Sequence, residues 1–267
     1  MTIVDRGSGV PVVIIPGLQG RWEWMAPAID ALADQCRVIT FSLGDEPSSG
    51  FPFEPARGVE NFLTQIENVF DRSGLGDAVL IGVSYAGPIA TEFAIRHAHR
   101  VRGLMLVSAL PANWQPDERA RFYLRAPRLF GPAFLLDSPL RAQPEIRAAF
   151  PRVSDRMRFS LQQTRVFLRC WFSPTRMARR IKWLLEYEFS DPSVFRKPAM
   201  VITGEPGLDR VVRPELTCKY LQALPQASYA VLAETGHLGV STRPREFARL
   251  VQQFVEKIAP DVHRASA

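Results

Sequence analysis

The stretch AVLIGVSYAGPIATEFAIRH, residues 78–97, constrains this chain more than any other. It reads as a buried strand, a sharp turn and a helix. Ala78–Val83 is an unbroken apolar run of core-strand length, bounded upstream by Ser73-Gly74-Leu75-Gly76. Past the turn, Ile89, Phe93, Ala94 and His97 repeat at helical spacing, and Pro88 falls in the first turn, where a missing N–H costs nothing. Ser84, caught between strand end and helix start, is pushed out of the sheet so that its hydroxyl faces a cleft. The helix beneath it offers free N–H groups and the positive end of its dipole. Gly82 and Ala86, two residues before and two after, let strand and helix crowd the turn. Ser84 is therefore a candidate nucleophile. The same hexapeptide also reads as a plain glycine-rich turn whose serine caps the helix.

Strand and helix alternate around this stretch. Residues 10–15 are a continuous apolar, β-branched run, hence a buried strand, and residues 37–42, 101–109, 199–203 and 228–232 read as further strands. Helical spacing marks Trp22, Met25, Ile29 and Leu32, then Val59, Phe62, Leu63, Ile66, Val69 and Phe70. A helix from Pro214 carries Leu216, Tyr220, Leu221 and Leu224, and a final one from Pro244 carries Phe247, Leu250, Val251, Phe254, Val255 and Ile258. Such alternation implies an α/β protein with parallel strands. It breaks between residues 111 and 192, where no buried strand is evident and helical pieces at 117–125, 127–136, 145–150, 155–172 and 174–189 are punctuated by prolines. We read this segment as a helical insertion. The polar tail after Pro260, with His263, is expected to fray.

The chain has 267 residues, enough for one large domain or a core with an insertion. No apolar stretch is long enough to span a membrane, and the N-terminus lacks the basic start and apolar run of a signal peptide, so a cytoplasmic location is expected. Three cysteines, Cys36, Cys170 and Cys218, show no metal-like spacing. The net charge of +6 is uneven, since fourteen arginines and one lysine lie between Arg119 and Lys182, with far fewer acids. No nucleic-acid motif accompanies them. They read as a solvated outer face, with steering of an anionic substrate or contact with a membrane surface as the sharper alternatives.

Three chemically apt residues follow the C-terminal ends of strands: Ser84, Asp209 past AMVIT and His237 past SYAVL. Ligand sites in open α/β sheets collect at that edge. A serine hydroxyl needs a base to take its proton, an imidazole titrates in the right range, and a carboxylate holds the ring in one tautomer. Of the four histidines, His97 and His99 belong to the helix after Ser84 and its end, and His263 to the tail. Glu205 and Glu234 compete with Asp209 for the acid.

These residues resemble the α/β-hydrolase family, in its serine-nucleophile branch with a helical cap. The family writes its nucleophile turn G-x-S-x-G; here Ala86 holds the second glycine position and Gly87 follows. The order Ser…Asp…His is the family's order. The resemblance implies a mostly parallel sheet of about six or seven strands flanked by helices, because residues 1–9 are too short for the two leading strands many members have. It also implies a cap at residues 111–192, inserted after the strand ending near Ala109, on a core of residues 1–110 and 193–267. In the family the loop after the first parallel strand reads His-Gly and then a bulky residue. Pro16 stands in the histidine's place, and Gly17 and Leu18 match the rest. The backbone N–H groups of Leu18 and Tyr85 are then the expected oxyanion donors. The family's acid precedes a Val-Pro-like run, which favours Asp209 before Val211-Val212, although the loop is two residues longer than usual.

What the resemblance implies for function is an esterase or lipase-like hydrolase working through an acyl-enzyme on a small-molecule ester, without metal or organic cofactor and without nucleic acid. Thioesterase, amidase, perhydrolase and carbon–carbon hydrolase chemistry stay open, as does a very slow or non-catalytic ligand sensor on the same fold. Trp22, Phe130, Phe134, Trp171 and Leu238 are the candidate pocket residues; such aromatics also serve as a cap's own core. Oligomeric state is not legible.

Overall fold

In a computed structural model, which describes residues 1–171 and 173–258, the apolar runs assemble into a seven-stranded sheet. Its strands are β1 (Ile3–Arg6), β2 (Pro11–Ile15), β3 (Arg37–Phe41), β4 (Ala78–Val83), β5 (Val101–Val107), β6 (Ala199–Thr203) and β7 (Ala227–Val231). The order across the sheet is β1-β3-β2-β4-β5-β6-β7. Only the edge pair β1–β3 is antiparallel. Residues 1–9 thus supply one leading strand. Phe172 and the tail with His263 lie outside the described residues.

Helices α1 (Ala26–Ala33), α2 (Glu60–Arg72) and α3 (Ala86–Arg96) follow β2, β3 and β4 in turn. After β5 come α4 (Glu118–Arg125), α5 (Pro127–Ala149), α6 (Val153–Arg169) and α7 (Pro174–Glu186). Then α8 (Pro214–Thr217) and α9 (Lys219–Ala223) lie between β6 and β7, and α10 (Gly239–Thr242) and α11 (Pro244–Ile258) complete the described chain. Side chains alternate across each strand, so every inner strand feeds two cores. Val13, Ile15, Ile39, Phe41 and Leu80 pack under α2 and α3. Val12, Ile14, Val38, Val79 and Ile81 pack against α1 and α11 on the opposite face.

From β2 the chain moves outward to β3, then returns to lay β4 on the other side of β2. The sheet therefore reverses between β2 and β4, and the loops leaving these two strands flank one crevice, the place where open α/β sheets take ligands. Ser84 leaves β4 at this point.

Among the described residues the regular structure between β5 and β6 is helical, but its pieces differ from those expected. The two pieces expected at 127–136 and 145–150 are one helix, α5, with Pro132, Pro139 and Pro144 inside it. Each proline removes one helical hydrogen bond. Packing against α4 and α7, and the buried Gly131, Glu145 and Ala149, carry the helix through all three. The helix expected from Pro214 is split at Cys218 into α8 and α9.

Candidate active site

Tight packing shapes the turn after β4. A Cβ on Gly82 would come within 2.7 Å of the Ala90 Cβ, and one on Gly87 within 2.5 Å of the Ala109 Cβ, so both positions exclude any side chain. Ala86 is buried but accommodated. Between them Ser84 takes φ 55°, a left-handed conformation that costs a non-glycine residue about a kilocalorie or more. The Ser84 N–H donates to the Val107 carbonyl at 2.9 Å, and its own carbonyl accepts from Gly87 and Leu110 at 3.0 and 3.1 Å. The strained residue is thus tied to β5, to α3 and to the chain leaving β5.

The structure brings together the three residues named from the strand ends. Ser84 Oγ lies 3.0 Å from His237 Nε2, and His237 Nδ1 lies 3.2 Å from Asp209 Oδ2. Asp209 Oδ1 accepts the N–H groups of Val211 and Val212 at 2.9 and 2.8 Å, which holds the carboxylate by its second oxygen. Glu205 is turned elsewhere: its Oε1 accepts the Glu234 N–H at 2.8 Å. Glu234 itself is exposed and pairs with Arg243. Burial opposes a charge on His237, but the Asp209 carboxylate, its hydrogen bond and the nearby Glu145 together hold the imidazole pKa above its ordinary value.

Leu18 and Tyr85 border the same cavity as Ser84. The loop after β2 lies against the serine, since a Cβ on Gly17 would stand 3.3 Å from the Ser84 Cβ. The Gly17 carbonyl accepts the Gly20 N–H at 2.9 Å. In a trans peptide the Leu18 N–H must point away from that carbonyl. The Leu18 carbonyl is held in turn by Arg180 of α7, whose Nη1 donates to it at 2.7 Å. Arg180 is wholly buried. Its Nε and Nη2 donate to Asp45 Oδ1 at 2.9 and 2.7 Å, its Nη2 also to Glu46 Oε1 at 2.5 Å, and its carbonyl accepts the Tyr85 hydroxyl at 3.1 Å. Gly20, at φ 75°, leaves the guanidinium its space; a Cβ there would sit 2.3 Å from Nη1.

The cavity over Ser84 has a volume of about 590 Å³, and Leu18, Trp114, Leu124, Phe134, Met177 and Ile181 give it an apolar wall. Of the five pocket candidates read from the sequence, Phe134 and Leu238 line it. Trp22 instead packs beside α1 with the Arg6 guanidinium over its ring. Phe130 stacks on Phe122, and Trp171 is exposed beside Phe167. These three bulky rings found partners outside the cavity, and Trp114, Met177 and Ile181 took the wall positions.

Glu145 was not anticipated. From α5 it reaches the loop that carries His237 and accepts the Leu238 N–H at 2.9 and 3.0 Å with its two oxygens. Burial pushes its pKa up, against the pull of the backbone N–H groups and His237. The one sequence signal was an acid in a segment otherwise filled with arginines. Among the described residues no group of three or more His, Cys, Asp and Glu side chains is placed to hold a metal ion.

A sequence model described as the alpha/beta hydrolase family matches residues 12–250. The chain is 27% identical to the 2-hydroxy-6-oxo-2,4-heptadienoate hydrolase of Pseudomonas putida, over 94% of this chain and 91% of that protein. Among solved structures it is similar to the enol-lactonase from Burkholderia xenovorans LB400, with a TM-score of 0.75, 20% identity and 96% of each chain covered. It is also similar to a thermophilic esterase from Thermogutta terrifontis, with a TM-score of 0.74, 22% identity, 97% of this chain and 94% of that one covered.

Proposed function

The chain is a hydrolase of the alpha/beta hydrolase family, and on that premise we propose that it cleaves an acyl ester through a serine-bound acyl intermediate. Ser84 is the nucleophile, His237 the base and Asp209 the acid that orients it. The observation that carries the reading is the unbroken relay from Ser84 Oγ through His237 to Asp209, at 3.0 and 3.2 Å, on the wall of an apolar cavity.

The chemistry follows from this geometry. Ser84 Oγ attacks the substrate carbonyl carbon as His237 Nε2 takes its proton. Asp209 stabilises the imidazolium that forms. The N–H groups of Leu18 and Tyr85 stabilise the oxyanion, whose collapse expels the alcohol, protonated by His237. Water, deprotonated by His237, then releases the acid and restores Ser84. Residues 111–192 act as a cap that roofs the cavity, on a core of residues 1–110 and 193–267.

The test is a series of p-nitrophenyl esters of rising acyl length, with Ser84→Ala as control. Turnover that rises with chain length and vanishes in the control supports the reading. Tight ligand binding with negligible turnover of every ester would refute it in favour of a ligand sensor. A second reading, hydrolysis of a carbon–carbon bond, is favoured by the Pseudomonas putida relative matched over nearly the whole chain. A 2-hydroxy-6-oxo-dienoate assayed beside the esters separates the two.

A further inference from the structure

Helix α6 has two apolar faces, and only one is used by this chain. Phe159 and, just past the helix end, Cys170 are buried, the first against Phe150 and the second beside Arg21. Turned away from them are Val153, Met157, Leu161 and Leu168, which are 61%, 68%, 52% and 75% exposed. At 3.6 residues per turn these four fall within an arc of about 80°. Arg158, Arg165 and Arg169, all exposed, form the next strip round the helix. Among the described residues Arg165 and Arg169 form no ion pair, and Arg158 meets only Asp155 at 3.7 Å.

The charge of the segment that carries this face is lopsided. Fifteen cationic side chains between Arg119 and Lys182 share the segment with three acids, Asp137, Glu145 and Asp155, and of the fifteen Arg180 is buried. That is a net of +12 where the whole chain carries +6, so the remainder is acidic. An exposed aliphatic stripe bordered by arginines fits one kind of partner: a surface that is anionic at its face and apolar just beneath. A second copy of the chain fits poorly, because joining two such faces sets arginine strip near arginine strip with few acids between. Nucleic acid would answer the arginines and leave four large aliphatic side chains without a role. No helix among the described residues is long and apolar enough to cross a membrane, so the geometry calls for lying on a surface.

We propose that the outer face of α6 docks this protein onto anionic lipid bilayers, with Val153, Met157, Leu161 and Leu168 entering the headgroup boundary and Arg158, Arg165 and Arg169 meeting lipid phosphates. None of these side chains lines the cavity over Ser84, so docking is separable from turnover.

The test is partition of the full chain onto vesicles of phosphatidylcholine alone and of an equal mixture with phosphatidylglycerol, at low and high salt. The parent should bind the anionic vesicles at least tenfold more tightly, and salt should weaken that binding. Replacing Arg158, Arg165 and Arg169 together by Gln should weaken it roughly a hundredfold, at about fivefold per arginine. Replacing Met157, Leu161 and Leu168 by Ser should weaken it at least about tenfold and leave the salt dependence in place. Because all six positions are exposed, melting should be unchanged in both variants. Failure of the parent to bind, equal binding to both vesicles, or variants that bind like the parent would overturn the proposal. So would a parent dimer that the serine variant dissociates, or duplex DNA binding as tight as the vesicles and indifferent to the serine replacements.

Discussion

Arg180→Met is the perturbation whose consequences the structure sets most sharply. The guanidinium is wholly buried and holds Asp45 and Glu46, whose side chains are 3% and 0% exposed. Removing one partner of such a cluster leaves uncompensated buried charge, at a cost of about 3–5 kcal/mol. Glu46 keeps Arg176 at 3.2 Å, which softens the loss, while Asp45 Oδ2 has no partner even in the parent. Against a typical total stability of about 5–15 kcal/mol, the single variant sits near the limit of folding. Combining it with Asp45→Asn and Glu46→Gln removes the charges together, and neutral replacement of a buried ionic cluster is commonly tolerated. We expect the triple variant to regain at least about 2 kcal/mol of the loss, measured by urea unfolding at matched m values. Turnover should not return with it. The Leu18 carbonyl has lost its donor in both variants, and displacing the oxyanion donor proposed at Leu18 costs up to about 10²–10³ in kcat. A single variant within about 1 kcal/mol of the parent, a triple variant less stable than the single, or a triple variant with full turnover would each refute this reasoning.

Further outcomes follow from the relay. Asp209→Asn should lower kcat by about 10⁴, because the amide favours the wrong histidine tautomer. Glu205→Gln should cost less than about tenfold, since its carboxylate serves the Glu234 N–H; the reverse ranking in steady-state kinetics would exchange their roles. The pH profile should show kcat/KM falling, as pH drops, at a midpoint above the usual histidine value, and Glu145→Gln should move that midpoint down. The stability sign is opposite to the activity sign. A histidine whose folded pKa is raised contributes stability in full below its unfolded pKa and loses it as pH rises through the folded value. The parent's advantage over His237→Gln in denaturant should therefore be larger near pH 5.5 than near pH 8.5.

The alternating layers are legible because β2, β4 and β6 are apolar runs and β5 ends in one, each followed by a turn and a helical period. β1 was not, since Ile3–Arg6 is short, half exposed and ends in charge. Ser84, Asp209 and His237 could be named because strand ends in a parallel sheet share one edge, so position in the chain stands in for position in space. Nothing comparable marks Arg180. It is one of fourteen arginines in its segment, and its partner Asp45 lies 135 residues away. Ring placement failed for a related reason: apolar spacing says that Trp22, Phe130 and Trp171 bury a face, not which neighbour they bury it against. The prolines inside α5 mark breaks in the sequence because the local cost of a missing hydrogen bond is legible there and the packing that offsets it is not.

Glu145 has a kinetic implication. Its carboxylate belongs to α5, which walls the cavity, while the amide it accepts adjoins the His237 imidazole. An outward shift of α5 alone would strip the Leu238 N–H of that acceptor, so the cavity wall and the loop of His237 are coupled through one contact. Widening the chamber at that point is opposed by the loss of this hydrogen bond, about 1 kcal/mol.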